Sequence, residues 1–448
     1  MLVIIHGWSD NYSSFKPLAN KLAAPEPEGI SADIRHVRLG DYVSLDDQIG
    51  YDDLAEALQR AWIDEGIPTT PHSVDMVIHS TGGLVVRHWL TKYCTPDTTP
   101  IKRLLMLAPA NFGSPLAHTG RSMMGRAIKG WKGTQLFETG TYILKGLEIA
   151  SPYSSELAEK DLFSDQQFYG PGRILCTVLV GNTGYRGISA LANRAGTDGT
   201  VRVSTANLNA ISVELDFTKP DEVYYSQHRT SIATAFGIAD REDHSSITAK
   251  NSGPRRSTTW DLIRKSLLIT DDGFTEWQRQ LEVHNESVTL RAEKRRSSHF
   301  NSFQNTVVRV VDNHETPVTD YVIEFFANDD KGQRNRIRTQ RLQEEAINNV
   351  HTWSGDASYR SFLINCTELY QILDKSEDRL NISLTASPEL GNRLAGYKTY
   401  TDEDISTLSL DQKQLRTLFR PHRTALITIK LKRYQQDKVF RFRKAESQ

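Results

Sequence analysis

Short unbroken apolar runs alternate with stretches in which apolar residues recur every three or four positions through the first half of the chain. Leu2–Ile5, Val74–Ile78 and Ile174–Val180 are runs of the first kind, with few polar breaks. Such runs predict strands covered on both faces, as in a parallel sheet. Ile34–Leu39, Arg103–Ala108 and Ser231–Ala239 read as further strands. Between them, Tyr51–Glu65 places Leu54, Leu58 and Trp62 four residues apart, which predicts an amphipathic helix. Leu84–Tyr93 and Thr259–Leu268 are predicted helices as well. Strands alternating with helices mean a parallel sheet with helices on both faces.

The pattern changes past Asp271-Asp272-Gly273, which reads as a break. Short alternating segments follow, among them Ser287–Arg291, Thr306–Val311, Asp320–Phe326, Leu380–Thr385 and Ala425–Leu431. These predict an antiparallel β-sandwich. The expected organisation is an α/β domain over 1–275 and a β-rich domain over 280–448. Residues 112–172 are too many for an ordinary connection between sheet strands. That stretch is rich in apolar residues, including Met123, Met124, Trp131 and Phe137, and is read as a cap of short helices whose apolar face would receive acyl chains.

The candidate chemistry lies where strands end. Val74–Leu84 reads V-D-M-V-I-H-S-T-G-G-L, an apolar strand, a serine among small residues, then a helix. A strand-to-helix turn of this kind exposes its serine as a nucleophile, here Ser80. Gly82 is expected to let the departing helix pass close to the strand. The usual glycine two residues before the serine is replaced by Ile78, whose side chain must find room. The apolar strand Leu2–Ile5 runs into His6-Gly7-Trp8, so the backbone N–H groups of Trp8 and Thr81 are the expected oxyanion donors. In hydrolases with this turn the acid and the base follow in that order. Asp198, in Gly196-Thr197-Asp198-Gly199-Thr200, is the candidate acid. His244, on the loop Asp240–Ile247 after a strand, is the candidate base. Its rival His228 sits between Gln227 and Arg229 with no apolar run immediately before it. A serine, a histidine and an aspartate in these roles carry out acyl transfer without a metal. The histidines lack metal-ligand spacing and no phosphate-binding glycine loop is present, so neither metal nor cofactor is assigned.

With 448 residues the chain is too long for one ordinary core, and with 38% hydrophobic residues and a formal net charge of −1 it has no bulk attraction to nucleic acid. Cys94, Cys176 and Cys366 are few and far apart, which argues against a disulfide framework. A strand starting at Leu2 with no basic leader leaves no conventional secretory signal, and no run reaches the roughly 18 to 20 apolar residues of a membrane span. Membrane contact is therefore expected to be peripheral. The terminal stretch Lys430–Lys444 interleaves seven Lys and Arg residues with Tyr434, Phe440 and Phe442. It reads as a charged edge strand that resists aggregation, or as a surface for an anionic membrane or another subunit.

Taken together, His6-Gly7-Trp8-Ser9, His79-Ser80-Thr81-Gly82-Gly83, Leu107-Ala108-Pro109-Ala110-Asn111 and Asp198-Gly199-Thr200-Val201-Arg202, followed by Ser204–Asn209, resemble the PlaB-like bacterial phospholipase A/lysophospholipase family. The resemblance covers the first half by motif and the second by length and strand-rich character. It implies a reduced, lipase-type α/β-hydrolase core with Ser80, Asp198 and His244 as nucleophile, acid and base. It also implies hydrolysis of acyl esters in glycerophospholipids and lysophospholipids, peripheral membrane or cytoplasmic location in a bacterium, homo-oligomerisation, and a C-terminal domain needed for activity. Another lipase, esterase, thioesterase or acyltransferase of the same fold is the nearest alternative, and a noncatalytic interaction protein on this scaffold the more distant one.

Overall fold

The structure is a computed structural model describing residues 1–5, 15–25, 30–31, 33–37, 48–117, 141–186, 190–191, 193–219, 224–248, 254, 256–294, 302–328, 332–390, 394–401 and 408–435, with the backbone alone for 224–228 and 293–294. The chain forms two compact units. One comprises Met1–Ile211, Arg229–Asn305 and Pro421–Thr424; the other comprises Ser212–His228, Thr306–Arg420 and Ala425–Gln448.

The first unit is built on strands β1 (Leu2–Ile5), β2 (Ile34–Val37), β3 (Val74–His79), β4 (Ile101–Leu107) and β5 (Leu175–Gly181). Strands β6 (Ala210–Phe217) and β7 (Tyr224–Thr230) come next in the chain and pair in a different sheet, and β8 (Ala235–Ala239) then completes the first. The order is β2-β1-β3-β4-β5-β8, and every neighbouring pair is parallel. Strands β1, β5 and β8 are buried along their whole length, which is why they read as unbroken apolar runs. Helices Tyr51–Asp64 and Gly82–Tyr93 pack together through Trp62 and Trp89, whose rings stack 4.9 Å apart. The first of these starts with Asp52 and Asp53 in its first turn, where carboxylates favour the positive end of the helix, and Asp53 Oδ2 accepts from the Gly50 N–H at 2.8 Å. The parallel core has a fold like that of α/β-hydrolases, and its loops at the carboxyl ends of β3, β5 and β8 carry the residues discussed below.

The division of the chain departs from the expected 1–275 and 280–448. Asp271–Lys294 is one helix of the first unit rather than a break followed by a strand at Ser287–Arg291. Phe274, Trp277, Leu281, Val288 and Ala292 are its buried residues, spaced three, four, seven and four apart, and the alternation across five residues at Ser287–Arg291 is a fragment of that helical period. Asp271 and Asp272 form an acidic first turn instead of a linker. The helix packs on β5 and β8 through a cluster that includes Leu175, Ala235, Phe274 and Leu281. In the other direction, Ser212–His228 belongs to the second unit.

Within the stretch 112–172, the described residues Ile143, Leu147 and Ile149 are buried in the first unit, whereas Tyr142 is exposed. Met123, Met124, Trp131 and Phe137 lie outside the described residues.

The second unit contains most of β9 (Phe303–Asp312) and of β16 (Thr424–Leu431), with β10 (Tyr321–Phe326), β11 (Ile347–Thr352), β12 (Tyr359–Asn365), β13 (Leu380–Ala386), β14 (Ala395–Gly396), β15 (Ser409–Leu410) and β17 (Tyr434–Gln435). Among the described residues these form sheets β10-β13-β15 and β11-β12-β9-β16-β6-β7 and the small pair β14-β17. The β10/β13 and β11/β12 pairs are antiparallel. Phe325 of β10 meets Phe362 of β12 edge-on at 6.2 Å, and the Tyr321 hydroxyl donates to the Ser358 carbonyl at 3.3 Å, so the two larger sheets pack on each other. Two cations of the basic terminal stretch are already matched here. Lys430 Nζ lies 3.4 Å from both Glu214 and Glu315, and Arg433 lies 3.7 Å from the buried Asp312. Lys438, Phe440, Arg441, Phe442, Arg443 and Lys444 lie outside the described residues. Among the described residues no helix is long and apolar enough to cross a membrane.

Candidate active site

Ser80 leaves β3 with φ of +56°, a left-handed conformation uncommon for a residue with a side chain. Backbone bonds hold it there. Its N–H donates to the Leu107 carbonyl at 3.2 Å, while its own carbonyl accepts from Ala110 at 3.2 Å and Gly83 at 3.1 Å. The residue that allows the helix to depart is Gly83 rather than Gly82. A Cβ on Gly83 would lie 2.9 Å from Pro109 Cβ and 3.0 Å from Asn111 Oδ1, whereas one on Gly82 would meet only ordinary contacts. The side chain of Ile78 takes the space above these two glycines, since those same Cβ positions fall 3.5 and 3.6 Å from its atoms. Room lost by isoleucine before the serine is thus recovered by glycines after it.

The loop 108–111 behind Ser80 is anchored by a buried ion pair. Arg87 donates to both oxygens of Asp161 at 2.7 and 2.9 Å and to the Asn111 carbonyl at 3.0 Å, and the Asn111 amide donates to the Ala206 carbonyl at 2.8 Å. Burial alone would lower the Arg87 guanidinium pKa, but the Asp161 charge and its hydrogen bonds raise it above the ordinary value.

Asp198 occupies a turn after β5 that its own carboxylate organises. Oδ1 accepts from the N–H groups of Thr200 at 3.0 Å and Val201 at 2.8 Å. Oδ2 is left for His244 Nδ1 at 2.9 Å, and His244 Nε2 lies 3.1 Å from Ser80 Oγ. All three side chains are buried, with Ser80 showing 4% exposure. The hydroxyl can donate to Nε2 only if the proton of the neutral ring sits on Nδ1, which the Asp198 contact favours. Thr81 directly precedes the helix Gly82–Tyr93, whose positive end favours negative charge beside Ser80. The other expected oxyanion donor, Trp8, lies outside the described residues. His228 falls on β7, and its side chain is likewise not described.

Three supporting residues were not anticipated. Glu242 is fully buried, and its carboxylate accepts from Ser246 Oγ at 2.5 Å and from the Arg256 N–H and Thr259 Oγ1 at 3.1 Å each. It thereby ties the loop bearing His244 to the start of the helix Ser257–Leu268. Gly181 ends β5 where that loop crosses, and a Cβ there would fall 2.2 Å from the Glu242 carbonyl oxygen. His79 supports the His244 ring directly, at 4.5 Å between centroids. Only the H-S pair of the serine turn hinted at the last of these. Among the described residues, no group of three or more His, Cys, Asp or Glu side chains is arranged to hold a metal ion.

No protein-family model matches the chain, and no curated protein matches it in sequence. Solved structures do match. Phospholipase PlaB from Legionella pneumophila superposes on 100% of this chain and 97% of its own, with a TM-score of 0.81 and 21% identity. The chain has the fold of PlaB. The complex of that phospholipase with thio-NAD gives a TM-score of 0.79 and 20% identity over the same shares. The PlaB likeness extends through both units, including the β-rich half that carries no recognisable motif.

Proposed function

We propose that the chain is a serine-dependent hydrolase of acyl ester bonds in glycerophospholipids and lysophospholipids. The observation that carries this reading is the continuous line from Ser80 Oγ through His244 to Asp198, with contacts of 3.1 and 2.9 Å, at a serine held in the left-handed region. The PlaB-like fold supports phospholipid as the substrate class, since that relative is a phospholipase.

In the mechanism, Ser80 Oγ attacks the acyl carbonyl carbon while His244 Nε2 takes the hydroxyl proton. Asp198 keeps the Nδ1 proton in place and stabilises the imidazolium that forms. Negative charge on the carbonyl oxygen is received by the N–H groups of Thr81 and Trp8, a type of contact worth about 3 to 4 kcal/mol per donor. The imidazolium then protonates the glycerol oxygen as the ester bond breaks, leaving the acyl group on Ser80. Water attacks this ester with His244 as base, and the fatty acid departs. Peripheral membrane contact and self-association belong to the same proposal, and the C-terminal unit would serve one of them.

The test is incubation of the purified full chain with mixed phospholipid and lysophospholipid vesicles, followed by mass analysis of the lipids. Free fatty acid should appear with matching loss of acyl ester, and should vanish with Ser80→Ala. Intact lipids after prolonged incubation, from a protein that still cleaves a small activated ester, would assign the chain to a different ester class.

A further inference from the structure

Among the described residues of the first unit two arginines are buried, and they are treated oppositely. Arg87 has a bidentate carboxylate and a carbonyl. Arg202 is 5% exposed, and its Nε and Nη1 are sealed from solvent with no hydrogen-bond partner. Among the described residues no acid offsets its charge. The charged group that acts on it is another cation, Arg194, whose guanidinium donates to the backbone carbonyls of Leu191 and Asn193. Burial first, and then Arg194, push the Arg202 guanidinium down to about 10. At neutral pH it nevertheless stays charged. A buried cation with no counter-ion, and with no acceptor for its Nε and Nη1, is strongly unfavourable, so a site of this kind suits an incoming anion.

Its place in the fold says which anion matters. Arg202 follows directly on the Asp198 turn, and its backbone bridges that of Thr197, so the two residues close the short loop that carries Asp198. The segment then passes to Thr205, which accepts from the Phe112 N–H at 2.9 Å and donates through Oγ1 to the Gly113 carbonyl at 2.9 Å. Arg202 therefore belongs to the same group of loops at the carboxyl ends of β4 and β5 as the acid of the candidate site. A planar guanidinium with free N–H groups matches the paired oxygens of a phosphate, and the second cation adds to the attraction.

We propose that Arg202, assisted by Arg194, is a specificity residue that receives the phosphate of the lipid substrate. The proposal rests on the phospholipid reading above and deepens it. A phospholipid or lysophospholipid would supply the missing counter-ion, whereas a monoacylglycerol with the same acyl chain would leave Arg202 buried and unpaired. Selectivity for phosphate-bearing lipids follows.

The experiment compares wild type, Arg202→Met and Arg202→Lys on two substrates with one acyl chain, lysophosphatidylcholine and monoacylglycerol, and measures thermal stability with and without glycerol 3-phosphate. Arg202→Met should lower the ratio of kcat/KM for lysophosphatidylcholine to that for monoacylglycerol by about ten- to a hundredfold, chiefly through KM. Arg202→Lys should recover part of the ratio. Glycerol 3-phosphate should raise the melting temperature of wild type and not that of Arg202→Met, while inorganic phosphate in a parallel arm separates recognition of a phosphate alone from that of the glycerol ester. Free of ligand, Arg202→Met should melt no lower than wild type, because an uncompensated buried charge is gone. Equal loss on both substrates, or a lower melting temperature of ligand-free Arg202→Met, would overturn the proposal and make Arg202 a support of the Asp198 turn. Stabilisation by a second copy of the chain, seen as a concentration-dependent melting temperature lost in Arg202→Met without any phosphate response, would overturn it in favour of a subunit contact. A wild-type enzyme that cleaves monoacylglycerol but no phospholipid, yet is stabilised by glycerol 3-phosphate through Arg202, would contradict the phospholipid reading and leave the phosphate site standing.

Discussion

The imidazole of His79 lies 4.5 Å from that of His244 and donates from Nε2 to the His244 backbone carbonyl at 2.9 Å. Because His79 directly precedes Ser80, one side chain links the serine turn to the histidine loop across 165 positions of sequence. Phe15 makes a T-shaped contact with the His79 ring, 5.7 Å between centroids. His79→Phe would keep the ring and lose the hydrogen bond, leaving a buried carbonyl short of one donor. It should cost about 1 to 3 kcal/mol in urea unfolding and reduce kcat on a small activated ester more than it changes KM. An unchanged kcat would show that the His244 loop holds its place without this link.

Gly181 makes a second, independent demand on the same loop. An alanine there would drive its Cβ into the Glu242 carbonyl oxygen, which is backbone and cannot rotate away. Gly181→Ala should destabilise the protein by about 1 to 3 kcal/mol and lower activity by shifting His244 relative to Ser80. Alanine at Gly82, where only ordinary contacts wait, should do far less. The comparison can be read from melting temperatures and rates measured side by side.

The Arg87–Asp161 pair predicts an asymmetry. Asp161→Ala strands a buried guanidinium and leaves the Tyr169 hydroxyl, 3.0 Å from Asp161 Oδ2, without its acceptor. A loss of about 3 to 5 kcal/mol is expected in denaturant unfolding. Replacing both partners, as Arg87→Met with Asp161→Leu, should cost less than Asp161→Ala alone.

The parallel core was readable because strands covered on both faces keep few polar residues, and β1, β3, β4, β5 and β8 fall within a few residues of the expected runs. The helix Asp271–Lys294 was not readable. Its apolar stripe is sparse, and a five-residue window at Ser287–Arg291 fits a period of two as well as one of 3.6. Ser80, Asp198 and His244 could be named as candidates because each ends or follows an apolar run in a fixed order. Glu242, Gly181 and His79 could not, since their importance lies in contacts that exist only after folding. Arg202 is the extreme case, for a missing partner leaves no trace in sequence.

His422 sets an acid limit on stability. The residue is buried in the first unit, and burial pushes its imidazole down to about 4 from an ordinary value of 6.5. Below pH 6.5 the unfolded chain takes up a proton that the folded chain refuses, so stability falls as pH drops from 6.5 to 4 and levels off below that. The expected loss is about 3 kcal/mol across this window. His422 has φ of +59°, a region asparagine tolerates well. His422→Asn should therefore flatten this part of the pH–stability curve, and a curve of unchanged steepness would place the acid sensitivity elsewhere.

The central claim is that Ser80 is a nucleophile activated by His244, and covalent labelling with a fluorophosphonate tests it most directly. Peptide mapping of the labelled full chain by mass spectrometry should find a single adduct, on the peptide containing Ser80. Its rate of formation should fall by at least about a thousandfold in a folded His244→Ala variant. An adduct on another serine, or labelling of Ser80 at an undiminished rate without His244, would contradict the account.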